Sequence, residues 1–232
     1  MKKISIAGWP LLIVLGCVGA EDPEPVVWNL NVSGWGADGP IVGATVSIEN
    51  SENSEFITNA NGEVAIEVAA EEYITANMVA DGFPSTTFHD YIGDRNRDST
   101  REILSQEKLD DMNRYLGLEV DPSNAQIVAV HVLDCDPYTE YSDCSYPFEA
   151  FVSITAEHDL AFVDDAQGGL DYNGGTVSGF SRGNNIVDGA VMFTNVRTGD
   201  LELIIDRPCI YEPTVEVTGN KYIDITAYCP SE

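Results

Sequence analysis

Positive charge is scarce in this chain. Its 232 residues carry 11 Lys plus Arg against 39 Asp plus Glu, a formal net charge of −28. Two of the cations, Lys2 and Lys3, lie in a leader that is expected to be removed. A polyanion of this kind repels a phosphate backbone, which excludes nucleic-acid binding. Histidine is scarcer still, with three residues: His89, His131 and His158. There is no Gly-x-Ser-x-Gly turn to set a nucleophile beside any of them. The five cysteines include no pair at the two- to four-residue spacing of a zinc site. Long apolar runs are missing as well, since Ile4 to Leu15 falls short of the ~20 residues that a membrane-spanning helix needs. The chain is nevertheless 44% hydrophobic, enough to build cores and to exclude disorder throughout.

What is present begins with an address. Lys2-Lys3 before a short apolar run reads as an export signal over residues 1–16. Val14-Leu15-Gly16-Cys17 resembles the lipobox of bacterial lipoproteins, which implies that Cys17 becomes the lipidated first residue. Val18-Gly19-Ala20 before Glu21 also fits an ordinary signal-peptidase site, which would discard Cys17 and release a secreted or periplasmic soluble protein. Glu21-Asp22-Pro23-Glu24-Pro25 cannot pack, so residues 17–25 read as a disordered tether between a lipid and a folded body. Val18 after the cysteine, rather than aspartate, implies the outer membrane by analogy with lipoprotein sorting.

Four cysteines then remain, Cys135, Cys144, Cys209 and Cys229, an even number suited to an oxidising compartment. Of the three pairings open to them, the favoured one joins Cys135 to Cys144 and Cys209 to Cys229.

The body is organised around an alternation that occurs twice. Gly43-Ala44-Thr45-Val46-Ser47-Ile48 and Asn61-Gly62-Glu63-Val64-Ala65-Ile66-Glu67-Val68 each alternate apolar and polar residues, the second beginning at an Asn-Gly turn. The pattern returns at Glu149 to Ile154 and, after Asp188-Gly189, at Ala190 to Val196. Two small all-β units follow, residues 26–98 with about seven short strands and residues 126–232. Between them, residues 99–125 read as a linker with one short helix. Ser105 is its N-cap, Leu109, Met112 and Leu116 form its apolar stripe, and Gly117 closes it.

Asp38-Gly39-Pro40-Ile41-Val42-Gly43-Ala44-Thr45-Val46, then Thr58 to Val64, then Ala80-Asp81-Gly82-Phe83, resembles the carboxypeptidase regulatory-like (transthyretin-like) domain over Val27 to Ile92. Phe193-Thr194-Asn195-Val196-Arg197-Thr198-Gly199 is similar to a strand and turn of the same family. The resemblance implies two tandem transthyretin-like (Ig-like) β-sandwiches, most of whose relatives are non-catalytic modules.

Candidate ligand residues are few. Asp94, Asn96 and Asp98 have the alternate spacing of the first calcium ligands of an EF-hand loop, but Ser99 replaces the loop glycine and Ser105 the closing glutamate. The Gly- and Asp-rich insertion of the second unit supplies Asp164, Asp165 and Asp171 as further calcium candidates. Trp35, Tyr138, Tyr141 and Tyr172 are the aromatic candidates for stacking on a glycan. Iron ligation of the intradiol-dioxygenase kind has the residue types in Tyr138, Tyr141, His131 and His158, but not the close histidine pair. The purine-pathway hydrolases of the transthyretin-like fold end in Tyr-Arg-Gly-Ser, and this chain ends Cys229-Pro230-Ser231-Glu232. The reading is a non-catalytic envelope lipoprotein that binds or scaffolds a glycan, an envelope protein or another copy of itself. The alternative is a calcium-dependent adhesion or glycan-binding surface protein.

Overall fold

The computed structural model describes residues 24–35, 38–49, 55–139, 144, 150–164, 170–171, 177–179 and 190–230. The lipidation candidate Cys17, the calcium candidate Asp165 and the glycan candidates Tyr141 and Tyr172 lie outside the described residues.

The fold is all-β with sandwiched sheets. The first half forms β1 (Val26–Gly34), β2 (Gly39–Pro40), β3 (Thr45–Ile48), β4 (Phe56–Ile57), β5 (Glu63–Val68), β6 (Glu72–Val79), β7 (Ser85–Ile92) and β8 (Arg97–Ile103). Helix α1 (Gln106–Leu116) follows. The second half forms β9 (Ala125–Leu133), β10 (Ala150–Ile154), β11 (Ala161–Asp164), β12 (Leu170–Asp171), β13 (Val177–Gly179), β14 (Ala190–Val196), β15 (Gly199–Ile205), β16 (Thr214–Val217) and β17 (Lys221–Tyr228). The helix is bounded as its capping residues dictate. The Ser105 hydroxyl accepts from the Lys108 amide, Gly117 sits in the left-handed region at φ 68°, and Leu109 is buried.

The halves share one sheet. Nine strands run in the order β12-β11-β14-β9-β17-β7-β6-β3-β4, with β17 paired in parallel to β7 of the first half and to β9 of the second. A four-stranded layer of β2, β1, β5 and β8 covers one face, and a layer of β13, β10, β15 and β16 covers the other. Strand alternation feeds both cores from the same elements. On β9, Ile127 and Ala129 enter the first core, while Val128, Val130 and Val132 enter the second. On β17, Tyr222 faces the first, and Ile223, Ile225 and Ala227 face the second. Burial on both faces is why residues 127–133 are a nearly unbroken apolar run in sequence.

The linker expected from residue 99 onward needs correcting at its start, because residues 97–103 are β8. This strand pairs in parallel with β1 from Trp28↔Arg97 to Gly34↔Ile103. Its inward positions are Arg97, Ser99, Arg101 and Ile103, all buried. Two arginines and a serine at core-facing positions hide an ordinary strand period inside a charge run.

Strand directions also sort the loops. The chain enters β1 and leaves β17 at one end, where the Arg97 guanidinium stacks 4.5 Å from the centre of the Tyr228 ring and the Cys229 amide donates to the Leu133 carbonyl at 2.7 Å. Both disulfides, Cys135–Cys144 and Cys209–Cys229, lie at that end. The opposite end carries the turns at Gly39, Gly43, Gly62, Gly82, Gly117, Asn195, Gly199 and Asn220, each with positive φ. Gly62 needs to be glycine on two counts. Its φ is 77°, and a Cβ there would stand 2.3 Å from the Val32 carbonyl oxygen.

Candidate functional site

The densest cluster of chemically competent side chains lies between the central sheet and the first outer layer. It is assembled from four strands. β7 presents Asp90, β8 presents Arg97 and Arg101, β9 presents His131, and β17 presents Asp224, Thr226 and Tyr228. Arg101 is its hub. One terminal nitrogen, Nη2, donates to Asp90 Oδ2 at 2.5 Å and to Thr226 Oγ1 at 2.7 Å, and Nε lies 3.4 Å from Asp224 Oδ1. His131 Nε2 is 3.0 Å from Asp224 Oδ2, and the Tyr228 hydroxyl donates to Asp90 Oδ1. Arg97 donates from Nη1 to the carbonyls of Pro137 at 2.8 Å and Thr139 at 3.3 Å.

Two guanidinium groups and His131 stand beside two carboxylates, and this pairing of opposite charges is what permits the burial, since an unpaired buried charge would cost several kcal/mol. Burial pushes the Asp224 carboxyl up, but His131 and Arg101 beside it outweigh this and hold it below the usual carboxylate range. Burial, reinforced by the Asp90 charge, pushes the Tyr228 phenol well above its usual range and keeps it a donor.

A His–Asp pair is the orienting half of a nucleophilic site, but here both side chains are buried. No member of the cluster is more than 6% exposed. Its one hydroxyl from a potential nucleophile, Thr226, accepts from Arg101. The arrangement welds strands together.

The other histidines stand apart from it. His89 faces the opposite side of the sheet, with Nδ1 2.8 Å from Glu212 Oε2. His158 Nδ1 meets the Ala156 carbonyl at 3.0 Å, and its ring meets Phe193 edge-on.

The ligand candidates are not brought together. Asn96 Oδ1 accepts from the Val27 amide at 2.9 Å, Asp98 Oδ1 accepts from Asn29 Nδ2 at 2.8 Å, and Asp94 meets Arg95. The alternate spacing that resembled a calcium loop therefore fastens β8 and its approach to β1. Asp164 and Asp171 fall on the paired strands β11 and β12. Among the described residues no group of three or more His, Cys, Asp or Glu side chains is placed to hold a metal ion. Trp35, of the glycan set, is partly buried against the first core, and its carbonyl accepts from Lys108 Nζ. Tyr138 is 37% exposed, and its ring lies over Gly93, where a Cβ would come within 2.8 Å of Tyr138 Cδ1.

The residues that sequence reasoning missed are Asp90, Arg97, Arg101 and Asp224. The signal was available in Arg97-x-Ser99-x-Arg101-x-Ile103 and Tyr222-x-Asp224-x-Thr226-x-Tyr228, a period of two carried by polar side chains.

No protein-family model and no curated protein matches this sequence. Among solved structures, the chain is similar over 88% of its length to a minor pilin of Streptococcus agalactiae, with 11% identity, 96% of that chain covered and a TM-score of 0.30. It is similar over 90% of its length to the TIE protein of Bacillus anthracis, with 12% identity and a TM-score of 0.29, and spans 35% of that chain. The major pilin subunit BcpA of Bacillus cereus aligns over 88% of this chain at 10% identity, as its D312A form, with 100% of that chain covered and a TM-score of 0.25.

Proposed function

We propose that this chain is a non-catalytic module of the bacterial cell envelope, held to the outer membrane by lipid on Cys17 and presenting a binding or scaffolding surface. The observation that carries this reading is the sealed ionic cluster. Arg101, Asp90, Asp224, His131 and Tyr228 hold one another at 0–6% exposure, so the side chains most suited to catalysis serve cohesion instead. The position of the chain's entry supports the anchoring. β1 begins at the end that carries both disulfides, so a tether before residue 26 leads to that end and leaves the opposite loops facing outward. The resemblance to carboxypeptidase regulatory-like domains, non-catalytic modules for the most part, supports the same assignment.

Metabolic labelling with an alkyne fatty acid tests the anchor. The label is expected on the protein and absent from Cys17→Ser. An unlabelled wild-type protein whose N-terminus is Glu21 would replace the lipoprotein with a soluble one.

A further inference from the structure

We infer that the groove lined by Val42 and Val79, with Ile57 flanking it across Thr45, is a docking site for a segment of a partner protein in which aliphatic and cationic side chains alternate. The inference rests on the reading of the chain as a surface-presented module.

Register places two of the aliphatics together. Thr45 faces Ile57 on one neighbouring strand and Val79 on the other, so these three residues share the outer face of the central sheet, and Val42 lines the same groove as Thr45 and Val79. Val46 and Met78, their neighbours in sequence, point into the first core. The outer layer that covers this face farther along the sheet does not shield this corner. Ile57 is 69% exposed, Val79 62% and Val42 59%, three of the eight large exposed hydrophobics among the described residues. Scattered apolar residues on a surface carry no meaning, whereas a contiguous set beside a concavity marks an interaction site. The concavity is present: a groove of about 390 Å³ is lined by Val42, Val79, Phe83, Pro40, Asp38 and Asp81.

Charge selects the occupant. Asp38 is paired with Lys108 at 2.9 Å, while among the described residues no hydrogen bond or ion pair engages the Asp81 carboxylate at the rim. A lysine or arginine on the incoming segment meets Asp81 while the aliphatic residue beside it fills the groove. The phosphates of a membrane or a nucleic acid are repelled by a chain of net charge −28. A second copy brings a surface of the same net charge and no surplus of cations to meet Asp81, which opposes self-association through this face. The groove also lies at the end opposite the start of β1 and the end of β17, where a molecule anchored through its N-terminal segment meets its surroundings.

The test uses the full chain and two fluorescent decapeptides of equal charge, one alternating valine with lysine and the other serine with lysine. Anisotropy titrations are expected to show the valine peptide binding at least several-fold tighter. Val79→Ser with Ile57→Ser removes about tenfold of that affinity and leaves the serine peptide unchanged. Asp81→Asn weakens the valine peptide several-fold, whereas Glu67→Gln, an exposed acid elsewhere, has no effect. Equal binding of the two peptides, or a preference that survives the aliphatic substitutions, would overturn the inference. Either result is obtained on isolated protein and leaves the fatty-acid labelling of Cys17 to be judged separately.

Discussion

Replacing Arg101 by methionine keeps much of the side-chain length and removes the charge from the hub of the buried cluster. Asp90 and Asp224, 2% and 0% exposed, are then left without the cation that Nη2 and Nε supply. Removing one partner of a buried ion pair costs about 3–5 kcal/mol, because the remaining charge stays desolvated. That is a large share of the ~5–15 kcal/mol that stabilises a typical domain. The cost is not the net worth of the cluster. Asp90→Asn added to Arg101→Met should restore part of the loss, because it removes the carboxylate left without its guanidinium partner, while Asp224 keeps His131. Urea unfolding followed by Trp28 fluorescence is a suitable assay, since Trp28 is fully buried and its indole N–H donates to Ser99 on β8, the strand that carries Arg101. Arg114→Met, which breaks an exposed pair with Asp111, serves as the reference and should cost below about 1 kcal/mol. A loss for Arg101→Met as small as that reference, or no recovery on adding Asp90→Asn, would refute the assignment of the cluster as the weld.

Other outcomes follow from the same structure. Asp224 has a lowered folded-state pKa, so its contribution is complete above the ordinary carboxylate range and is lost as pH falls through the folded value; stability should decline below about pH 4, more steeply than in Asp224→Asn. Tyr91 is pushed up to about 12, by burial first and by its hydrogen bond with Tyr138 next, and Tyr228 is raised as well. Their contributions are complete below the ordinary tyrosine range and are lost as pH rises from 10 toward 12, and ultraviolet titration should show a late-ionising class that shrinks in Tyr91→Phe. Gly93→Ala forces a Cβ to within 2.8 Å of Tyr138 and 2.9 Å of the Pro137 carbonyl, and should lower stability by about 1–3 kcal/mol in a thermal melt. Replacing Cys209 and Cys229 by serine opens a 20-residue loop and should cost about 3 kcal/mol. Thiol titration of the unreduced protein should find Cys135, Cys144, Cys209 and Cys229 all blocked.

Local features were legible in the sequence because local chemistry sets them. Ser105 and Gly117 fix the ends of α1, the Asn61-Gly62 turn fixes the start of β5, and both disulfide pairings follow from their loops. The assembly of the halves was not legible. A parallel pairing of β17 with β7 joins residues more than a hundred positions apart and leaves no turn signal between them. The buried cluster was concealed for a different reason. Arg97 and Arg101 stand where a core strand would normally carry aliphatics, and charge in sequence reads as exposure. Trp35 was ambiguous in sequence for a related reason, since a tryptophan in a glycine-rich turn can be displayed or can pack, and this one is partly buried against the first core.

The repeat in sequence implies two units, and the shared sheet implies one. Differential scanning calorimetry of the oxidised protein separates the two most directly. With β17 inserted between β7 and β9 and Arg101 bound to strands of both halves, the chain should melt in a single transition whose van't Hoff and calorimetric enthalpies agree. Two resolved transitions, or a calorimetric enthalpy about twice the van't Hoff value, would show halves that unfold independently and would contradict the weld.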